Sequence, residues 1–260
     1  MKSYALITGA SGGIGREFVY EYARHHFNLV LVARNEEKLN ALKLELEKTW
    51  HIRVLVIAED LSDEDAALRI YDRVRAEGIH VIELINNAGA GKQVSVTDAD
   101  TDTLKNLIHL NVTSVTLLCR LFGHDMVKAG KGRILNVSSM GAFIPDPYFN
   151  VYGPTKAFEL FLTEAMYGEL KGTGVTVSAL CPGPVKTNWA RNAGKADSKM
   201  AKDPADIARS GFRGLHRGDL IIIPSADNRI ERSLMKGLPA KAQVRIIRAW
   251  QKYLIDRASA

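Results

Sequence analysis

The chain has 260 residues, of which 46% are hydrophobic and 25% charged, with 21 glycines and 8 prolines. That balance excludes a disordered chain, a collagen-like repeat and a disulfide-held miniprotein, and the length suffices for one large buried core. The formal net charge of +6 is unevenly placed: residues 229–260 hold eight basic residues (Arg229, Arg232, Lys236, Lys241, Arg245, Arg248, Lys252, Arg257) and two acidic ones, whereas the preceding segment holds 27 of each. Such a tail is read either as the solvated face of surface helices or as a contact for an anionic partner. Cys119 and Cys181 are the only cysteines, each inside an apolar segment, which predicts buried free thiols in a reducing compartment. With no leader-like opening and no apolar run of about 18 residues, the expectation is a cytoplasmic protein without a spanning helix.

Strand-length apolar runs alternate with helical patterns as far as about residue 225. Segments 4–8, 29–33, 54–58, 81–86, 133–137, 175–181 and 220–224 are rich in Val, Ile and Leu without apolar–polar alternation. Strands of that kind are covered on both faces, as in a parallel sheet. Between them, residues 36–50 carry Leu39, Leu42, Leu46 and Trp50 at helical spacing. Residues 63–77 follow Ser62 as N-cap and end at Gly78, residues 101–128 form the longest helical pattern, and residues 152–171 form another. The alternation predicts an α/β Rossmann-type fold: a doubly wound, seven-stranded parallel sheet with helices on both faces. Residues 1–225 are read as one dinucleotide-binding and catalytic domain, and 226–260 as a basic helical extension split near Gly237–Pro239. The polar stretch 187–202, with Asn192, Gly194, Asp197 and Ser198, is read as a mobile lid or an ordinary surface loop.

The first strand runs into Thr8-Gly9-Ala10-Ser11-Gly12-Gly13-Ile14-Gly15, followed by a helix over 16–24. Glycines there permit a tight turn and close approach of the backbone to a diphosphate, and the helix N-terminus offers N–H groups to it. No Lys-Ser/Thr pair follows, so this is not a Walker loop. Gly9–Gly13 also fits G-x-S-x-G, a hydrolase elbow with Ser11 as nucleophile, although such elbows follow several strands and here only seven residues precede the turn. At the end of the second strand stands Arg34, where a carboxylate would bind the ribose hydroxyls of NAD. A guanidinium instead suits the 2′-phosphate of NADP, so NADP(H) is preferred over NAD(H).

Tyr152-Gly153-Pro154-Thr155-Lys156 places a phenol and an ammonium one helical turn apart, with Pro154 tolerated in the first turn. A nearby ammonium favours phenolate and so lowers the phenol pKa, letting Tyr152 exchange a proton with a substrate oxygen while hydride moves at carbon. Thr8–Gly15, Asn86-Asn87-Ala88-Gly89, Asn111, Ser139, the Tyr152/Lys156 pair and Cys181-Pro182-Gly183-Pro184-Val185-Lys186-Thr187 together resemble the short-chain dehydrogenase/reductase family over residues 3 to about 225. Among its members the chain is most similar to soluble bacterial types of loosely defined substrate, and more distantly to ketoacyl and hydroxysteroid reductases.

The resemblance implies that Tyr152 is the proton donor in reduction and acceptor in oxidation, and that Lys156 also binds the nicotinamide ribose. Ser139, thirteen residues before the tyrosine and so chosen over Ser138, would hold the carbonyl oxygen. Asn111 would position a water linked to Lys156. Cofactor contacts are implied for Gly9, Ser11, Gly13, Ile14, Gly15, Arg34, Asp60, Leu61, Asn87, Ala88, Gly89, Tyr152, Lys156, Pro182, Gly183, Val185 and Thr187. Gly12 stands where many NADP-preferring relatives carry a basic residue, which weakens that preference. No metal is expected, since the seven histidines show no metal spacing and His25 and His26 are expected to point apart on a helix.

Phe143, Ile144, Pro145, Tyr148, Phe149 and Trp189 are candidate pocket residues, suggesting an apolar carbonyl or secondary alcohol as substrate. A homodimer or homotetramer through helices 101–128 and 152–171 is implied by the family, and no nucleic-acid partner is expected. Arg245, Arg248 and Lys252 beside Ile246, Ile247, Trp250 and Leu254 allow peripheral contact with an anionic membrane, the less favoured reading. An NADP(H)-binding redox sensor or scaffold without turnover is the non-enzymatic alternative.

Overall fold

The computed structural model describes residues 4–258 apart from Asn150 and Asp197, with side chains described as far as Asp256. Asp197 of the 187–202 stretch and the Arg257 side chain of the basic tail therefore lie outside the described residues. Seven strands, β1 (Tyr4–Thr8), β2 (Asn28–Ala33), β3 (Val54–Ala58), β4 (Val81–Asn86), β5 (Gly132–Val137), β6 (Val175–Leu180) and β7 (Ile221–Ile222), form one sheet in the order β3-β2-β1-β4-β5-β6-β7. Every neighbouring pair is parallel.

The unbroken apolar character of the strands follows from two covered faces. In β1, Ala5 and Ile7 pack with Phe18, Val19, Leu39 and Leu46 of helices α1 (Gly13–Arg24) and α2 (Glu36–Trp50). The intervening Leu6 points to the other face, with Ile70 of α3 (Ala66–Ala76) and Leu118 and Phe122 of α5 (Ser114–Lys128). Leu6, Ile7 and Leu84 are fully buried, each worth about 1.5–3 kcal/mol of transfer free energy. The remaining helices are α4 (Thr101–Ile108), α6 (Tyr152–Glu169), α7 (Trp189–Asn192), α8 (Pro204–Arg217), α9 (Ala226–Lys236) and α10 (Ala240–Ala258).

Several expectations need correction. The helical pattern over 101–128 is not one helix: a π-turn at His109–Thr113 divides it into α4 and α5, and Asn111 sits in that turn. Helix α3 begins at Ala66 because Ser62 donates its hydroxyl to Asp60 Oδ1 rather than capping, and Asp63 accepts the Asp65 N–H. His25 and His26 lie beyond α1, as its C-cap and in left-handed backbone respectively. Strand β7 pairs only at Ile221 and Ile222, not over 220–224. Helix α8, which the strand-and-helix reading passes over, is started by the Asp203 side chain and Pro204 and stopped by Gly218 at φ +78°. Its Ile207, Ala208, Phe212 and Leu215 are buried against the α1 face.

Helix α8 also completes a buried charge cluster under the sheet. Glu83 of β4 is wholly buried, accepts from the Tyr22 hydroxyl at 2.6 Å and from Arg133 at 3.2 Å, and faces His216 Nε2 at 3.2 Å. The Glu83 carboxylate holds the His216 pKa above the ordinary histidine value, against partial desolvation. A raised folded-state pKa means that this pairing contributes stability in full below the unfolded value of about 6.5 and loses it as pH rises through the folded one. The melting temperature of the wild type is expected to decline over that window more than that of His216→Gln. Parallel slopes for the two proteins would dissociate His216 from the pH response.

Candidate active site

Strand order reverses between β1 and β4, and the loops leaving their C-terminal ends open a crevice there. The glycine-rich turn after β1 forms one wall. Gly9 and Gly13 have φ of +67° and +54°, and Gly12 and Gly13 are exposed at the start of α1, which no side chain caps. A Cβ on Gly15 would stand 2.2 Å from the Gly9 carbonyl and 2.5 Å from Asn87 Nδ2, so the turn closes only around glycine. Thr8 Oγ1 accepts from the N–H groups of Asn87 and Ala88 at 2.9 Å, and Asn87 Nδ2 donates to the Thr8 carbonyl at 2.9 Å. The loops after β1 and β4 are thereby fastened to each other. Exposed N–H groups at a helix start, above glycines that allow close approach, fit a dinucleotide diphosphate.

Arg34 and Asp60 sit at the adjoining ends of β2 and β3, with Arg34 largely exposed and its guanidinium 3.8 Å from Asp60 Oδ2. Leu61 is buried in the core and Ile14 packs against the core. The loop after β6 forms the opposite wall. Pro182 accepts from the Met140 N–H, Gly183 packs on Asn228 of α9, and Val185 pairs with Lys202. The Thr187 methyl group reaches to 3.2 Å from where a Gly13 Cβ would stand. Stretch 187–202 contains α7 and is tied down at both ends: Lys202 N–H donates to Pro184, Gln93 N–H to Ala193, and Trp189 Nε1 to Gly89 at 3.1 Å.

At the bottom of the crevice, the structure brings Ser139, Tyr152, Lys156 and Asn111 together. Ser139 Oγ accepts the Gly141 N–H at 3.1 Å and lies close enough to Tyr152 for its hydrogen bonding to favour phenolate. Ser138 is turned away, donating to the Lys156 carbonyl at 2.7 Å. Asn111, wholly buried, donates to Ala90 O at 2.9 Å and to Thr155 Oγ1 at 3.0 Å, and accepts from Ala90 N–H at 3.1 Å. The π-turn aims this side chain across at α6, a common use of such turns at functional sites. Tyr152 is packed between Phe149 and Trp189, with ring centroids 4.9 and 4.8 Å away. Phe149 is itself almost fully buried, so it shapes the tyrosine's surroundings, while Phe143 lies under the Arg232 guanidinium at 4.3 Å.

Lys156 lies on α6 one helical turn beyond the phenol. Its Nζ is 5.8 Å from the Tyr152 ring centroid and donates to Val137 O at 2.9 Å and to both Glu159 carboxylate oxygens, at 2.7 and 3.0 Å. The Tyr152 pKa is pushed up by burial, opposed by Ser139, and raised further by the Glu159 and Asp146 charges.

Sequence reasoning missed Glu159, and it missed the polar ladder behind it. Asn86 Nδ2 donates to Asn136 Oδ1 and Asn136 Nδ2 to Thr163 Oγ1, each at 2.9 Å, joining β4, β5 and α6. A glutamate among apolar residues of α6 and an asparagine inside an apolar strand were the available signals. A second missed pair is Asp146 with Lys195, 3.8 Å apart, with Gln251 of α10 donating to Asp146.

The model of the short chain dehydrogenase family matches residues 3–198. A very-long-chain 3-oxoacyl-CoA reductase of Bos taurus is 34% identical over 195 residues, covering 72% of this chain and 61% of its own length. The chain thus spans about six tenths of the length of the first curated relatives it matches. Among solved structures, a short-chain dehydrogenase from Sphingobium yanoikuyae in complex with NADPH is 30% identical, with a TM-score of 0.82 over 92% of this chain and 97% of that one. The bulky-bulky ketone specific alcohol dehydrogenase from Comamonas testosteroni is also 30% identical, with a TM-score of 0.78 over 91% and 94% of the two chains.

Proposed function

The chain belongs to the short-chain dehydrogenase/reductase family of oxidoreductases, and from that premise we propose that it is an NADP(H)-dependent carbonyl reductase acting reversibly on an apolar ketone or secondary alcohol. The convergence of Ser139, Tyr152, Lys156 and Asn111 at the foot of a glycine-walled crevice carries this reading. When bound, the nicotinamide supplies the hydride. Ser139 holds the substrate oxygen, and Tyr152 gives its phenolic proton to that oxygen as charge develops there. Lys156, beside Gly89, holds the ribose, and Asn111 positions a water that links Lys156 to a proton relay.

Exposed Arg34 supports the choice of NADP(H), since its guanidinium is available to a 2′-phosphate and is only loosely drawn to Asp60. A relative bound to NADPH supports the same choice. Trp189 and Phe149 around the tyrosine support an apolar substrate, as does a relative specific for bulky ketones. Membership in an oxidoreductase family replaces the reading of Ser11 as a hydrolase nucleophile. Exposed Phe158 and Phe161 on α6 support self-association through that helix. Buried Cys119 and Cys181, both free thiols, support a cytoplasmic setting. Helices α9 and α10 belong with the domain as its extension: Arg229 donates to Ile223 O, and Gln251 reaches Asp146.

The test is a panel of aliphatic and aromatic ketones, with NADPH and NADH consumption measured side by side. Reduction of bulky ketones with NADPH as the better donor is the expected outcome. Tight NADPH binding without turnover on any carbonyl would assign the protein to cofactor sensing instead.

A further inference from the structure

Glu159 is 1% exposed and lies one turn beyond Lys156 on the face of α6 that meets the sheet. Val137 O and both oxygens of the Glu159 carboxylate accept from Lys156 Nζ, which clasps the ammonium to its own helix and to β5. The other groups around this pair leave its charge unanswered. Cys119 of α5 and Cys181 after β6 have thiol pKa values pushed up to about 12 by burial, which keeps them neutral. Asp146 faces Tyr152 but is matched by Lys195. Arg232 of α9 stands over Phe143, near Cys181, and Ser139 and Thr155 are neutral. The charge balance next to the phenol is therefore decided within α6.

Resting on the reading of Tyr152 as proton donor, we propose that Glu159 is a positioning residue: by clasping and neutralising Lys156 it keeps the proton on Tyr152 and sets the site for carbonyl reduction over alcohol oxidation. In reduction the carbonyl carbon gains the hydride, the C=O π pair goes to oxygen, and that oxygen forms its O–H bond with the Tyr152 proton. The phenolate left behind is reprotonated from solvent. In oxidation the phenolate must be present first to accept the alcohol proton, and a carboxylate beside the lysine opposes its formation. Burial pushes the Glu159 pKa up to about 7, against the pull of Lys156. The clasp is therefore fully charged above that pH and weakens as Glu159 takes up a proton below it.

The experiment is the pH profile of kcat/KM for alcohol oxidation in wild type, Glu159→Gln and Glu159→Asp, with folding checked by circular dichroism. In Glu159→Gln the uncompensated ammonium should move the rising limb to lower pH by about one unit, the profiles diverging above about pH 7. Glu159→Asp, which keeps the charge on a shorter arm, should fall between the two. A Glu159→Gln limb superposed on that of the wild type overturns the proposal. If Glu159→Gln does not fold, an unmoved limb in Glu159→Asp overturns it equally. Should the wild type turn over no carbonyl or alcohol at all, the reductase reading fails separately. Glu159 is then read from the tyrosinate absorbance of Tyr152, taken as the difference from Tyr152→Phe, whose midpoint must drop in Glu159→Gln.

Discussion

Replacing Tyr152 with phenylalanine is expected to lower kcat by about 10²–10⁴-fold, the usual contribution of a positioned general acid, while NADPH still binds. The substitution deletes one oxygen and keeps the ring, and the ring is what packs between Phe149 and Trp189. Its neighbours therefore stay in place, and the loss falls on proton transfer. The measurement is kcat on the best ketone together with the NADPH dissociation constant from fluorescence quenching. A variant that retained wild-type kcat would remove the phenol from the chemistry. One that lost cofactor binding in equal measure would make Tyr152 a wall of the cleft.

Arg34→Glu is expected to reverse cofactor choice. Arg34 is largely exposed at the end of β2, so losing its loose attraction to Asp60 costs stability little. Removing one charge-assisted contact to a phosphate is worth about 1.5–3 kcal/mol, or roughly 10- to 150-fold in affinity. The new carboxylate adds repulsion of the 2′-phosphate and a partner for the ribose hydroxyls of NAD. Steady-state KM values for NADPH and NADH should therefore move in opposite directions. If both rose together, Arg34 would be holding the loop and not reading the cofactor.

The parts of the fold that were legible in the sequence are those where one local rule dominates. Apolar runs such as Leu29–Val32 can only be strands covered twice, and the glycines from 9 to 15 mark the turn because a side chain at Gly15 would collide with the Gly9 carbonyl. What escaped depends on partners distant in sequence. The π-turn at Asn111 is invisible to a periodicity test, since one extra residue in a turn hardly disturbs the apolar pattern; its reason is the reach from Asn111 to Thr155 on another helix. Helix α8 had the needed signals, Asp203-Pro204 at its start and Gly218 at its end, but it follows a polar loop that drew the reading away.

At the site itself, the spacing of Tyr152 and Lys156 foretold that they share a turn, and they do. It could not foretell the charge state of the lysine's surroundings, because the pairing of Lys156 with a glutamate three residues on depends on burial against β5, which the spacing does not show. Burial reverses the meaning of that carboxylate: on a surface it would be a weak i,i+3 pair, whereas inside it decides how much of the ammonium's charge the phenol feels.

Following the label from NADPH deuterated at the transferable position through a single turnover on a bulky ketone tests the account most directly. The expected product is the secondary alcohol with deuterium on the carbinol carbon and a solvent-derived proton on oxygen, with a slower rate than for unlabelled NADPH. An alcohol without deuterium at that carbon, or oxidation of NADPH with no alcohol formed, would contradict hydride transfer at this site.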